Sequence, residues 1–273
     1  MWGNIFCQDF KMVQTYNRLK RLVGQDTVGR FSFIGEEIEK LGLIPRIYEL
    51  DSPRGKDRHL TVYFDYGAER EFWLTANYDT FEMLPSANNN GSGVVTLMGL
   101  VECLRNTSAP VNVRLVYFDA GLDTDLITRK KRNPTFVPGS EIFLQHMINE
   151  EIEFIDRYVG AVVIQAAGKG NLCVFEKTGK KTENADGLNK QLVTYGDSMG
   201  RSVDIRDRSP SADNLSFLKL GLEAIVLSRY HEGAWHRMQT KDDDLTNVNV
   251  VHVDETINFV YNFITSNTMG SAA

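Results

Sequence analysis

Three cysteines in 273 residues are too few for a disulfide framework, and Cys7, Cys103 and Cys173 form no C-x-x-C pair. Basic charge is in deficit: 30 Lys and Arg against 36 Asp and Glu leave −6, the wrong balance for tracking a phosphate backbone. No run approaches the ~18 apolar residues of a bilayer-spanning helix. The first eleven residues lack the basic stretch and long apolar core of an export signal. No Pro/Gly/Ser-rich linker and no repeat divides the chain. The expectation is a reduced, soluble, cytoplasmic protein of one domain, residues 1–273, with neither nucleic acid nor membrane as a partner.

Hydrophobic spacing supplies the elements. Phe10, Val13, Tyr16, Leu19 and Val23 recur at helical intervals, as do Phe31, Ile34, Ile38 and Leu41, with Gly42 as a stop. Residues 1–43 thus read as a helical segment packed on the domain. Residues 46–50, 59–66 and 70–75 are short β-branched or aromatic runs separated by turn residues, and predict three adjacent strands, at least two antiparallel. Residues 91–105 predict a helix with a glycine-rich first turn. Residues 111–118 and 159–164 predict strands covered on both faces. Helices follow at 140–151, 190–200, 212–220 and 253–266, with a strand at 224–227, a sheet-like run at 172–175, polar loop at 176–190 and irregular chain at 230–249. Helices alternating with buried strands imply one α/β domain, a mixed and mostly parallel sheet flanked by helices.

Polar residues gather at three strand ends: Asn77 and Asp79, then Asp119, then Gln165. In open α/β sheets, ligands collect beyond the carboxyl ends of the parallel strands. The loop Ser86-Ala87-Asn88-Asn89-Asn90-Gly91-Ser92-Gly93 leads into a helix N-terminus, whose free N–H groups favour an anion or carboxylate. The same three Asn and two Gly also suit simple turns and caps.

In this order the segments resemble the zinc aminopeptidase and glutaminyl cyclase superfamily over nearly the whole chain. Ala76-Asn77-Tyr78-Asp79-Thr80 is similar to that family's His-Tyr-Asp-Ser segment, and residues 86–93 to its Gly-Ala-Asn-Asp-Asn-Gly-Ser-Gly loop. Residues 112–120 resemble the strand leading into paired glutamates, and Gly139-Ser140 a Gly-Ser helix start. Asp213-Asn214-Leu215-Ser216-Phe217 with Gly221-Leu222-Glu223-Ala224 resembles Asp-His-x-x-Phe then Gly-Ile-Pro-Ala. Trp235-His236, followed by residues 242–249, is similar to the Trp-His-Thr segment. The resemblance implies a zinc-exopeptidase-like fold.

It also implies a metal site that this chain has changed. Asn77 stands for the first histidine ligand and Asn89 for the bridging aspartate. Gly121 and Leu122 fall at the catalytic-base glutamate and its metal-binding neighbour, and Gln165 at the later acidic ligand. His236 alone keeps a ligand type, while Asp79 matches the residue that orients the first histidine. Zinc requires three or four imidazole, thiolate or carboxylate donors, and hydrolysis requires a base. The family implies zinc; this sequence predicts no cofactor and no metal ligand set, unless Asp119, Asp123 or Asp125 shift into register or His231 joins His236.

Asp79, Asp213 and His236 are the candidate catalytic residues for metal-free acid–base chemistry, Asp213 resembling the cyclase aspartate that bonds the reacting amide. Asn77, Asn88, Asn89, Gly91, Asp119, Gln165, Arg208 and Trp235 are the candidate ligand-binding residues, Arg208 as a clamp for a carboxylate or phosphate. Each has a plainer reading: a loop-fixing carboxylate for Asp79, a strand-end cap for Asp119, a packed residue for His236, surface pairing for Arg208. Asp242-Asp243-Asp244 and Arg129-Lys130-Lys131-Arg132 read as solvated turns, and Cys173 as core. The function expected is a zinc-free pseudoenzyme binding a peptide, an amino-acid derivative or a protein partner in the old cleft. The alternative is a peptidase or glutaminyl-cyclase-like enzyme acting on aminoacyl amides.

Overall fold

The computed structural model describes residues 12–53, 55–81, 84–119, 137–151, 153–178, 182–183, 186–209 and 212–266. Two helices open it, α1 (Met12–Leu22) and α2 (Thr27–Lys40), the second capped by Asp26, whose side chain accepts from Gly29 N at 2.7 Å. Strands β1 (Arg46–Ser52), β2 (Gly55–Phe64) and β3 (Glu71–Asn77) follow, then a π-helical turn at Ala87–Ser92 and α3 (Gly93–Leu104). Next come β4 (Asn112–Phe118), α4 (Gly139–Glu150), β5 (Tyr158–Ile164), β6 (Asn171–Thr178), β7 (Thr182–Glu183) and α5 (Asp186–Ser198). The last elements are β8 (Asp204–Ser209), α6 (Asn214–Lys219), β9 (Ala224–Tyr230) and α7 (Val250–Thr265).

All nine described strands join one mixed sheet. β4, β3, β5 and β9 run parallel at its centre, β2 and β1 continue it antiparallel on one side, and β6 lies antiparallel to β9 on the other. A strand has two edges: β6 gives one to β9 and β7 and the other to β8, so β8 is the outer strand. The carboxyl ends of the parallel strands therefore share one side of the sheet, where Asn77, Asp119 and Gln165 emerge. No described helix is long and apolar enough to cross a membrane.

Alternation along the central strands fills two cores. Phe72, Leu74, Ala76, Val113, Leu115, Tyr117, Val162 and Ile164 face α1, α2, α3 and α7. Trp73, Val116, Phe118, Ala161 and Val163 face α4 and α6, with Phe143, Met147 and Phe217. A period of two with both faces apolar is what makes these strands read as continuous hydrophobic runs. The N-terminal helices are fastened by polar contacts as well: Arg18 bonds Glu37 of α2 and Glu102 of α3, each at 3.0 Å, and Thr15 donates to Asp254 of α7.

Three expectations change. β3 is not adjacent to β2, because β4 inserts between them: β3 returns through α3 to a parallel neighbour, as a βαβ unit does. Asn112 then locks the β2–β3 turn by bonding Tyr66 N, Ala68 N and Ala68 O. Residues 204–209 form strand β8; its charges suit an exposed outer strand, which lacks a covered face to demand apolar residues. α5 begins at Asp186, inside the segment expected to be loop, and β6 runs on to Thr178. Cys103, at the end of α3, is disulfide-bonded, contrary to the expectation of reduced cysteines, whereas Cys173 is free and buried as core.

One ion cluster sits inside the second core. Arg114 Nε meets Glu71 Oε1 at 2.6 Å and its Nη2 meets Glu151 at 3.0 Å, while Trp73 Nε1 donates to the same Glu71 oxygen. The Glu71 carboxylate holds the Arg114 guanidinium above its usual range despite burial. Removing Arg114 strands the buried Glu71 carboxylate, so Arg114→Ala is expected to cost about 3–5 kcal/mol in denaturant unfolding. A loss within experimental error would show that the cluster does not stabilise the fold.

Candidate functional site

The site is built by two strand ends, one turn and the start of one helix. β3 delivers Asn77, Tyr78 and Asp79; β5 delivers Gln165; and the turn at 87–92 brings Asn88, Asn89 and Asn90 beneath α3. Gly93 is required there, because a Cβ would lie 2.2 Å from Asn90 Oδ1 and 2.6 Å from Ile164 O. Asp213 arrives from the start of α6 on the other face.

Amides form the centre. Asn77 Nδ2 donates to Asp79 Oδ1 at 2.9 Å, and Asn77 Oδ1 accepts from Asn90 Nδ2 at 3.0 Å. Asn90 also donates to Ile164 O and accepts from Ala166 N, tying the turn to β5. Gln165 Nε2 donates to Asn89 Oδ1 at 3.3 Å. Asn88 is fully buried: its Oδ1 accepts from Gly168 N at 2.9 Å, and its Nδ2 has no hydrogen-bond partner. Asn77, Asn89 and Gln165 are the half-buried members and form the open side.

Charges lie behind them. Asp213 is buried, accepts from Ser140 and faces Asp79; burial first, and then the Asp79 charge, push its pKa up to about 7. Asp243 is fully buried, and its carboxylate accepts from Asn88 N and Asn89 N at 3.0 Å each and from Asn247 Nδ2 at 2.8 Å. Burial raises its pKa, and these donors together with Arg30 oppose the rise. Arg30, with no exposed surface, donates to Pro85 O and Ser86 O, and burial lowers it to about 10 while Asp79 and Asp243 act the other way.

This arrangement corrects the reading of the loop. Its N–H groups do not wait for an anion, because the Asp243 carboxylate already holds those of Asn88 and Asn89, and Gly91 N donates to Ser86 O. Asp243 was expected in a solvated acidic turn; only its neighbour Asp244 caps a turn, accepting from Thr246 N. Arg30 was not anticipated either, although it lies three and four residues before Phe33 and Ile34, on the buried stripe of α2.

The other expected residues stand apart. Asp119 joins strand ends, accepting from Arg58 N at 3.0 Å while its own N–H donates to His59 Nδ1. Arg208 is exposed on β8. Trp235 packs against Tyr230 and Phe175 and donates to Arg229 O. The pairing of Asp213 with His236 is not made: Asp213 is buried beside Ser140, whereas the His236 side chain is 78% exposed with its Nε2 3.8 Å from Glu232. His231 is exposed as well. Gly121, Leu122, Asp123, Asp125 and residues 129–132 lie outside the described residues.

The described side chains at the positions where the family resemblance implies metal ligands do not fit zinc. Three are neutral amides whose atoms bond each other or Asp79 and Asn90, and the fourth, His236, faces solvent. Among the described residues no group of three His, Cys, Asp or Glu side chains stands close enough to hold a metal ion.

A buried acid whose pKa is raised by folding binds more protons folded than unfolded, so its contribution to stability falls as pH rises from the unfolded value to the folded one. For Asp213 that window runs from about 4 to about 7. Asp213→Asn is expected to remove up to ~4 kcal/mol of this loss, making the variant the more stable form above pH ~7 and flattening the pH dependence of its denaturation midpoint. Identical pH profiles would overturn the assignment.

Comparison with known proteins agrees with this architecture. The chain superposes on the LapA aminopeptidase of Legionella pneumophila with TM-score 0.75 at 15% identity, over 98% of this chain and 74% of that one. The glutaminyl cyclase of Tannerella forsythia gives TM-score 0.73 at 15% identity, over 94% and 99%. A curated relative, decapping nuclease RAI1 of Debaryomyces hansenii, is 24% identical over 191 residues, 66% of this chain, which spans about half of that protein's length (48%). The pattern of Peptidase family M28 matches residues 63–264, nearly three quarters of the sequence and every strand of the site, and the chain belongs to that family.

Proposed function

We propose that this chain is a zinc-free, non-hydrolytic member of its family that binds a peptide, an amino-acid derivative or the chain end of a protein partner in the ancestral cleft. The observation that carries the reading is the Gln165–Asn89 hydrogen bond, which joins two positions where the family resemblance implies carboxylate ligands. Neutral amides that satisfy one another have no net charge to offer a dication, and they are poor donors beside imidazole or carboxylate. Asn77, Asn89 and Gln165, half-buried at the opening, match the N–H and C=O groups of a peptide unit. Asp79 and Asp213 behind them suit an amine. The family resemblance also implies that Gly121 and Leu122 stand at the base and its metal-binding neighbour, and neither side chain accepts a proton.

The likeness to a decapping nuclease supports no nucleic-acid reading, since the chain carries −6. The reading includes no membrane partner. A cytoplasmic location is set aside, because disulfides such as that of Cys103 belong mainly to oxidising compartments.

A second reading is favoured by one observation: a carboxyl titrating at about 7 is poised for proton transfer, so metal-free chemistry at Asp213, with Asp79, is the enzymatic alternative. His236 would have to approach from its exposed position.

Two measurements test the proposal. Elemental analysis after zinc exposure is expected to find far less than one chelator-removable zinc per chain; a stoichiometric ion would overturn the zinc-free reading. A panel of aminoacyl and glutaminyl amides, followed by product mass, is expected to show no turnover, since loss of a general base alone costs ~10²–10⁴-fold. Turnover lost in Asp213→Ala would establish metal-free catalysis, and turnover lost on chelation would establish a metalloenzyme.

A further inference from the structure

Strand β8 pairs in parallel with β6 on one side, and among the described residues no strand pairs with its other side. The N–H and C=O groups turned that way are a template for one more strand.

Register fixes which way the side chains point. Asp204 and Arg206 stand beside Cys173 and Phe175, on the face that carries Tyr230 and Trp235, whereas Ile205 stands beside Val174 on the opposite face. Arg206 lies over the Tyr230 ring, 3.3 Å from its centroid, and is held on that face. Neither Asp204 nor Arg206 forms an ion pair among the described residues. Asp204 accepts from Ser202 Oγ at 3.4 Å and from Asn171 Nδ2 at 3.5 Å, both at the outer limit of a hydrogen bond. Ile205 is 51% exposed. The outer strand thus shows an uncovered apolar side chain between two opposite charges, neither of them paired.

We propose that this edge joins a second copy of the chain, β8 pairing antiparallel with the partner's β8 about a two-fold axis at Ile205. An axis perpendicular to the sheet returns each face to itself, so residues equally far before and after the axis oppose each other on one face. With Ile205 at the axis, Asp204 of each chain opposes the partner's Arg206, and the two Ile205 side chains meet on the other face. The other registers of the charged stretch fail. An axis at Asp204, Arg206, Asp207 or Arg208 sets that residue against its own copy, like charge on like. Directly opposed unlike charges stabilise a strand pair, and like charges destabilise it. Charges on an edge ordinarily keep other strands away; this order of charges admits its own copy. The inference does not depend on the function proposed above, because β8 carries none of the amides of the site.

The test is sedimentation equilibrium of the whole chain over ~1–300 µM. A reversible monomer–dimer equilibrium that weakens with added salt is expected. Asp204→Arg and Arg206→Asp each set like charges opposite, and each is expected to weaken the dimer about tenfold or more. A mixture of the two variants is expected to form a heterodimer about as tight as the wild-type dimer, because each supplies the charges that the other lacks. A chain that stays monomeric across the range, a dimer that either reversal leaves intact, or a mixture that associates no better than its components would each overturn the proposal. If a variant fails to fold, amide exchange of the wild type decides. Protection at residues 203–207 that rises with protein concentration supports the β8 pairing, and protection that rises only elsewhere, or nowhere, refutes it.

Discussion

Asp243 lies beneath the turn at 87–92 with no exposed surface, and its two oxygens accept the N–H groups of Asn88 and Asn89. A buried carboxylate is costly unless its oxygens are bonded and its charge is offset. Here three N–H donors do the first, and Arg30 in the same buried region contributes to the second. Because the carboxylate is fixed, the turn is fixed, and Asn89 and Asn90 are set against β5 and β3. The arrangement of the amide centre follows from this one anchored charge.

The amide centre is held mainly by bonding between neutral groups. A metal cage gathers like-charged donors that repel one another until a cation arrives. In this chain Asn77, Asn89, Asn90 and Gln165 each offer both donor and acceptor, so they can bond one another directly. The remaining carboxylates are separated by role: Asp79 accepts from Asn77, Asp243 holds the turn, and Asp213 lies in a buried place where its charge is disfavoured near neutral pH. The fold shared with aminopeptidases and glutaminyl cyclases supplies strand ends on one side of a parallel sheet, and many site chemistries can stand on such a platform.

The same contrast separates what was legible in the residues from what was not. The central strands announced themselves, because Val113, Leu115 and Val116, or Val162 and Val163, are apolar on both faces and only a sheet with two covered sides uses such runs. β8 did not, since Asp204-Ile205-Arg206-Asp207-Arg208 has no apolar alternation, and an exposed outer strand needs none. Asp243 was read among solvated acids because Asp242 and Asp244 flank it; nothing local distinguishes the carboxylate that turns inward. Arg30 carried a readable signal, its place on the buried stripe of α2, but its partners Pro85 and Ser86 lie 55 and 56 residues away.

By itself the sequence determined the layered α/β class, the loop and strand ends that meet at the site, and the presence of amides where the family resemblance implies metal ligands. These follow from short-range periodicity and from residue identity, which need no knowledge of contacts. Only the tertiary structure decided how those residues pair. It put β4 between β2 and β3, buried Asp243 under the asparagine turn, set Asp213 beside Ser140 and left His236 in solvent. The physical reason is that burial and hydrogen bonding between residues far apart in sequence depend on which surfaces the chain brings together, and one strand inserted between two others changes them all.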